Sequence, residues 1–226
     1  MLIWIIFGIV ALLGWVVSSR LQSKFKKYSK IPLDSGMTGR DVALKMLHDN
    51  EIYDVQVIST SGMLTDNYNP SNKTVNLSEG VYASNSVAAA AVAAHECGHA
   101  IQHAKAYGPL TLRSALVPAV SFSSKYVMWV ILAGIFTIQA FPALLWIGIG
   151  LFAITTIFSF VTLPVEIDAS RRALAWLDTA GIVNQNNKVY AKDALKSAAY
   201  TYVVAAISSL TTLIYYILIA MSGNRR

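Results

Sequence analysis

The chain has 226 residues, of which 55% are hydrophobic and only 13% are charged. Soluble domains carry about 25% charged residues, so this composition indicates an integral membrane protein and argues against a freely soluble domain. The single cysteine excludes a disulfide framework within the chain and a cysteine-rich metal cluster. The net charge of +6 is modest and lies beside apolar segments, so we expect it to set membrane topology and expect no nucleic-acid partner.

The first segment, Leu2–Ser19, is uncharged and rich in large apolar residues, which predicts a membrane-spanning helix of nearly minimal length. No basic stretch precedes it and no good cleavage site follows it, so we expect an uncleaved anchor. Basic residues are frequent in the Arg20–Lys30 segment that comes next. By the positive-inside rule this flank lies in the cytoplasm, which places the N-terminus outside.

A more polar region follows, from about Ile31 to Leu112, and its composition predicts a soluble part with short elements. In order, we predict a helix of about Gly39–Asn50 capped by Thr38, a strand at Val55–Ile58, a turn at Asp66–Asn72 and a strand at Lys73–Ser78. Polar and apolar residues alternate in the last strand, which is typical of a half-buried strand. We expect that strand to be an edge strand that binds an extended peptide substrate through its backbone, at Thr74, Val75, Asn76 and Leu77.

An H-E-x-x-H pattern, made by His95, Glu96 and His99, follows an alanine-rich segment that predicts a helix. Residues four apart lie on one helical face, about 6 Å apart along the axis, so both imidazoles can bind one Zn²⁺ ion. Glu96 can act as a general base toward the activated water. A chance match on a solvated helix is the alternative, but Gly80–Ala94 contains no charged residue, so we expect a buried helix.

A catalytic zinc site usually has three protein ligands, so the pattern needs one more. His103 lies on the same helical face, but it is about 12 Å from His95 along the axis and too far away to bind the same ion. We expect His103 to orient a ligand, to contact substrate or to lie without a role at a helix end. Cys97 is expected to be a small helix residue between the ligands, with a reactive thiol as the alternative.

The second half of the chain contains two long uncharged stretches. Tyr126–Val165 is too long for one membrane helix and about right for two. A break near Pro142 predicts a helical hairpin of about Lys125–Ala140 and Ala143–Pro164. A last span is predicted at about Tyr200–Ala220. Four spans that begin outside place both termini outside and both polar regions in the cytoplasm.

The best candidate for the third ligand is Glu166, which follows the third span directly. Pro164 suits the start of a helix, so we expect Glu166 and Asp168 in a first turn, where carboxylates are favoured. The alternative is that both carboxylates only complement the helix dipole or pair with Arg171 and Arg172. Glu166, however, projects from the end of a membrane span, beside the point where the soluble region must dock.

Three stretches carry a resemblance to a known family. Ala93–His103 is A-A-H-E-C-G-H-A-I-Q-H, Pro164–Leu174 is P-V-E-I-D-A-S-R-R-A-L, and Asp66–Ser78 precedes the first of them. They resemble the active-site helix, the second motif and the preceding segment of the YugP-type neutral zinc metallopeptidases, a family of bacterial membrane proteins. The resemblance covers nearly the whole chain, including the order of the spans.

This resemblance implies a gluzincin with Glu96 as general base. It implies one Zn²⁺ per chain with three protein ligands, His95, His99 and Glu166. The related HtpX-type and CAAX prenyl membrane proteases place an Asp four residues after the ligand Glu, where it supports a ligand His. Ser170 stands at that position in this chain, and Asp168 is a candidate substitute.

Metal-assisted peptide hydrolysis is therefore the predicted reaction, with a peptide or protein substrate that includes membrane proteins. The residues expected to support ligands or to stabilise the transition state are His103, Asp168, Ser170, Arg171 and Arg172. An intramembrane site-2-type protease is one alternative, although the polar residues around the pattern argue against it. A non-catalytic zinc-binding membrane scaffold is another, although a structural site needs no base such as Glu96.

The predicted fold is a mainly α integral membrane protein with about four transmembrane helices and a small α+β zincin-like metalloprotease domain. Its predicted parts are an anchor at 1–19, a metalloprotease region at 20–117, a transmembrane hairpin at 118–163, a polar helical region with the third ligand at 164–199 and a last transmembrane helix at 200–222. We expect a multi-pass protein of the cell membrane with its catalytic region on the cytoplasmic side.

Overall fold

The structure is a computed structural model that describes residues 2–223 of the chain. Its elements, in chain order, are α1 (Leu2–Tyr28), α2 (Gly39–Asp49), β1 (Gln56–Thr60), β2 (Asn67–Asn69), β3 (Thr74–Ser78), α3 (Glu79–Tyr82), α4 (Val87–Ala104), α5 (Gly108–Phe136), α6 (Pro142–Thr179) and α7 (Gln185–Gly223). Helix dominates and the sheet has only three strands. The predicted fold class is therefore confirmed.

Four helices of the described residues are long and apolar enough to cross a membrane, as predicted. They are Ile5–Tyr28, Gly108–Phe136, Pro142–Thr179 and Gln185–Ser222. Their most apolar parts form one of two compact units, which contains the described residues up to Val16, Thr111–Leu163 and the residues from Tyr202 onward. The second unit consists of Val17–Leu110 and Pro164–Thr201.

The break between α5 and α6 lies just before Pro142, but α5 begins earlier and α6 ends later than the predicted hairpin of about Lys125–Ala140 and Ala143–Pro164. A Cβ atom on Gly134 would lie 2.6 Å from the Cα atom of Leu145, so the two backbones approach as closely as glycine allows. The hydroxyls of Thr156 and Ser209 are 2.8 Å apart and link α6 to α7. Small residues and interhelical hydrogen bonds are the usual means of helix association in membranes, where the lipid is as apolar as the side chains.

Pro164 lies inside α6, and the prediction that a helix starts there is wrong. A proline lacks the N–H group that would bond to the carbonyl four residues earlier, so one helical hydrogen bond is lost. In a long apolar helix, a complete break would leave further backbone groups without partners, so a single lost bond is tolerated. Glu166 and Asp168 therefore lie in the interior of a continuous helix and not in a first turn.

In the second unit, α4 lies in the core and is buried on nearly all sides. Its N-terminus is capped by Ser86, whose Oγ accepts a hydrogen bond from the Ala89 N–H at 3.2 Å. Alanine side chains are short, so neighbouring elements approach the α4 backbone closely. The apolar residues that pack in this core include Val42, Met46 and Leu47 of α2, Leu77 of β3, and Ala173 and Leu177 of α6. The predicted Thr38 cap of α2 is present and forms a capping box with Asp41.

The sheet of the second unit has the strand order β1-β3-β2, with β1 parallel and β2 antiparallel to β3. The predicted substrate-binding residues, Thr74, Val75, Asn76 and Leu77, all lie in β3. Because β3 is the central strand, with paired neighbours on both sides, the prediction that these residues form an edge strand is wrong. The alternation of polar and apolar residues suggested one solvated face, but only Asn76 is partly exposed.

One edge of this sheet is β2, Asn67–Asn69, which lies inside the segment predicted as a turn. Asparagine-rich sequence is typical of turns, because the short side chains hydrogen-bond to their own backbone. In the structure, Asn67 and Asn69 keep such local bonds to neighbouring backbone groups, and the Asn76 amide of β3 also donates to the Asn67 side-chain oxygen across the strand pair, at 2.6 Å. Because these residues pair with β3, they form an edge strand although their sequence is typical of a turn.

Candidate metal centre

The two histidines of the H-E-x-x-H pattern lie side by side on α4, with ring centroids 4.8 Å apart. The Nε2 atom of His95 is 3.3 Å from Oε2 of Glu166, and that of His99 is 3.6 Å from the same oxygen. The three side chains offer ligand atoms that all lie within 4.8 Å of one another. The structure therefore brings together the three residues that the sequence predicted as ligands.

Glu166 reaches this position because α6 packs against α4 at Gly98. A Cβ atom on Gly98 would lie 2.7 Å from the carbonyl oxygen of Ala169 and 3.1 Å from its Cα atom. Only a residue without a side chain permits this approach, and Glu166 lies about one turn before the point of contact. The glycine of the H-E-C-G-H sequence thus sets the distance between the two helices that carry the cluster.

The donor set fits a zinc ion. Zinc–ligand bonds of about 2.0–2.1 Å in a tetrahedron place neighbouring ligand atoms about 3.3 Å apart. The observed separations of 3.3 and 3.6 Å between each Nε2 atom and Oε2 of Glu166 agree with that value. Two imidazole nitrogens and one carboxylate oxygen are also the ligand types of many catalytic zinc sites, which leave the fourth position open.

Each histidine has a partner at its other ring nitrogen. The Ser170 hydroxyl is 3.1 Å from Nδ1 of His95. Ser170, the residue four positions after Glu166, therefore contacts a candidate ligand. Nδ1 of His99 is 3.0 Å from the side-chain oxygen of Gln102. Sequence reasoning missed Gln102, although its place three residues after His99, on the same helical face, is a signal that could have pointed to it.

Asp168 lies behind Gln102 and does not touch a histidine directly. Its Oδ2 accepts a hydrogen bond from Nε2 of Gln102 at 3.0 Å. Arg171 donates to Oδ1 at 2.6 Å and Arg172 donates to Oδ2 at 2.5 Å. Both arginines predicted as oxyanion donors are thus engaged with Asp168, and the Arg171 side chain is 77% exposed.

His103 is not a member of the candidate metal cluster. It is exposed near the end of α4, and its Nδ1 atom is 3.2 Å from the hydroxyl of Tyr68. Tyr68 belongs to the edge strand β2, so His103 marks the place where the helix of the cluster meets the edge of the sheet.

Glu96 and Cys97 are both buried on α4. Burial raises the pKa of the Glu96 carboxyl, while the nearby His95 and His99 act in the opposite direction. Burial also opposes the charged form of His99, but its contact with Glu166 leaves the pKa of His99 above the usual value. The Cys97 thiol points to the Ala43 carbonyl at 3.5 Å, and burial raises its pKa, which favours an unreactive thiol.

Comparisons with known proteins agree with this geometry. Residues 3–221 match the model of a family described as "Putative neutral zinc metallopeptidase". The chain is 39% identical over 222 residues to a Bacillus subtilis (strain 168) protein named "Putative membrane protease YugP", and the match covers 97% of each chain. No solved structure matches the chain.

Proposed function

Since the chain belongs to the family of neutral zinc metallopeptidases, we propose that it is a membrane-bound zinc endopeptidase that hydrolyses peptide bonds of protein substrates. The observation that carries this proposal is the convergence of the Nε2 atoms of His95 and His99 on one carboxylate oxygen of Glu166. These three residues would hold one Zn²⁺ per chain, and Glu96, the residue after His95, would be the general base.

The metal and the buried Glu96 carboxyl group would each contribute to peptide hydrolysis. When bound, zinc would supply a water with a pKa of about 7 and polarise the peptide carbonyl. The Glu96 carboxylate accepts a proton from the attacking water and then donates that proton to the leaving amine. Burial, which raises the pKa of Glu96, supports the second of these roles because it eases protonation of the carboxylate.

The substrate would lie along β2, the edge strand on the side of Tyr68. An extended peptide can add to such an edge through backbone hydrogen bonds, which give affinity with little sequence preference. The contact between Tyr68 and His103 supports this site, because it joins the edge strand to the helix that carries His95 and His99. His103, rather than Arg171 or Arg172, is then the candidate to contact the substrate or stabilise the oxyanion.

The two alternatives fit the structure less well. An intramembrane site-2-type protease has its H-E-x-x-H pattern in a spanning helix and a later Asp as ligand. Here α4 is not one of the candidate membrane spans among the described residues, and the third member of the cluster is Glu166. A zinc-binding scaffold would normally have four protein ligands and would not need Glu96 beside the cluster.

The test is hydrolysis of a denatured model protein by the purified full chain. We expect cleavage that stops when a chelator removes the metal and returns when zinc is added. Glu96→Gln is the matched control, because it removes the base and leaves the three proposed ligands in place. Cleavage by Glu96→Gln at the rate of the parent, or full activity in the presence of the chelator, would contradict the proposed reaction.

A further inference from the structure

Building on the metal centre proposed above, we propose that Gln102 is a positioning residue that keeps the proton of His99 on Nδ1 and so leaves Nε2 free for the metal. Gln102 is fully buried on α4, three residues after His99. Its side chain makes three hydrogen bonds, to the His99 ring, the Val165 carbonyl and the Asp168 carboxylate.

The surroundings of Gln102 permit only one orientation of its amide. The Nε2 atom is 2.8 Å from the Val165 carbonyl oxygen and 3.0 Å from Oδ2 of Asp168. A backbone carbonyl can only accept, and so can an ionised carboxylate. If the amide were turned over, its oxygen would face both of these acceptors, so the NH₂ group must lie on that side.

The two arginines ensure that Asp168 is an acceptor. Arg171 donates to one carboxylate oxygen and Arg172 to the other, and an arginine side chain remains charged in proteins. A carboxylate with a guanidinium group at each oxygen is held in its ionised form. The chain of contacts thus runs from two permanent cations through Asp168 and Gln102 to His99.

A fixed amide fixes the proton of the imidazole. With its NH₂ group committed to Val165 and Asp168, Gln102 presents its oxygen to Nδ1 of His99 at 3.0 Å. That oxygen only accepts, so Nδ1 must carry the proton. The lone pair of a neutral ring then lies on Nε2, the atom that faces Glu166.

His95 has a partner of a different kind. The Ser170 hydroxyl, 3.1 Å from Nδ1 of His95, can either donate or accept, so it orients the ring without fixing the proton. The two histidines of the cluster therefore differ at Nδ1, and only His99 has a partner at that nitrogen that cannot donate.

Nitrogen-15 NMR of the histidine rings tests this inference directly. The chain has only four histidines, so His48→Gln and His103→Gln identify two of the four ring signals, and His95→Gln separates the remaining two. In the zinc-free parent, at a pH that leaves every ring neutral, we expect the His99 proton on Nδ1. In Gln102→Met, which has similar size but no acceptor, we expect the proton to move toward Nε2.

Zinc affinity, measured by competition with a chelator, is the second readout. Loss of a contact behind a metal ligand typically costs about 10- to 100-fold in affinity, and we expect that loss in Gln102→Met. Gln102→Glu should lose affinity as well, because its second carboxyl oxygen would face the Val165 carbonyl and the Asp168 carboxylate, which only accept. Cys97→Ala, a change of another buried residue of α4, is the control and should alter neither the tautomer nor the affinity.

Two results would overturn the inference. The first is a His99 proton on Nε2 in the parent, a measurement that does not require any variant to fold. The second is Gln102→Met with an unchanged tautomer. Because the tautomer is measured without zinc, failure of the proposed peptidase function is distinguishable: the parent would then lack zinc and hydrolysis whatever the His99 ring shows.

Discussion

The residues at the cluster fall into two groups: three that would bind the metal, and Glu96, which would act in hydrolysis. His95, His99 and Glu166 converge on one point, whereas Glu96 lies beside them, buried and without a ligand position in the cluster. Substitutions of the two groups should therefore have different effects on zinc content and on rate.

We expect His95→Ala, His99→Ala and Glu166→Ala each to lose most of the bound zinc, because two ligands hold the ion far less tightly than three. Glu96→Gln should retain about one zinc per chain and lose hydrolysis by about 10²- to 10⁴-fold, the usual contribution of a general base. Elemental analysis and a protein-cleavage assay measure the two quantities. Full zinc in Glu166→Ala together with loss in Asp168→Ala would show that the third ligand is assigned wrongly.

His103 should act on rate and not on zinc. It is about 12 Å along the helix axis from His95 and contacts Tyr68 instead of the cluster. We expect His103→Ala to keep the zinc content of the parent and to lower the rate by about 10- to 1000-fold, the range for lost stabilisation of transition-state charge. Tyr68→Phe, which removes only the hydroxyl that contacts the ring, should lower the rate less. Zinc loss in His103→Ala with retention in Glu166→Ala would contradict the geometry of the site.

At the scale of elements, the contact between α4 and α6 determines whether the cluster exists. The backbone of α6 lies against Gly98, and Glu166 and Ser170 reach the two histidines from the helix on either side of that contact. A change at Gly98 should therefore affect the centre through the spacing of the helices, without removing any ligand.

Gly98→Ala should lower both stability and zinc content. An alanine in a helix is intrinsically more favourable than glycine by about 1 kcal/mol, but overpacking typically costs about 1–3 kcal/mol. Overpacking should dominate, because the new Cβ atom would meet backbone atoms of Ala169, which cannot rotate away. Thermal unfolding and zinc analysis measure the effect. Gly80→Ala is the control, since a Cβ atom there meets nothing within 4 Å, and an equal effect of both changes would rule out the proposed spacing role.

For the whole molecule, the four candidate spans and the basic Arg20–Lys30 segment at the end of the first of them predict which side the unit with the candidate metal cluster faces. With an even number of spans we expect both termini on the same side, and by the positive-inside rule we expect Arg20–Lys30 to lie in the cytoplasm. That flank itself belongs to the unit that contains the cluster.

We therefore expect the polar region of about residues 31–112 to be cytoplasmic. A protease added to intact cells should leave this region uncut, and a reporter fused after the C-terminus should register outside. Cells made permeable provide the control, because the same protease should then cut the region. Cleavage within Asp66–Lys73 from outside intact cells would invert the topology and would change the pool of substrates.

The sequence by itself determined the features that depend on neighbours along the chain. Uncharged length predicts the spans, and the spacing of His95 and His99 predicts their common helical face, because both follow from local geometry. Glu166 was predicted from its place after a span and from a family resemblance. The tertiary structure decided the rest, since each remaining feature depends on partners distant in sequence.

Gln102 shows the physical reason most clearly, because its amide bonds to groups 63 and 66 residues away on α6. The edge position of β2 likewise depends on which strand pairs with β3, and turn-like sequence contains no record of that pairing. Pro164 was expected to begin a helix because proline is favoured at the first helical position, yet it lies in the interior of a long apolar helix. Local rules thus determined which residues could bind a metal, and packing between α4 and α6 determined how those residues are held.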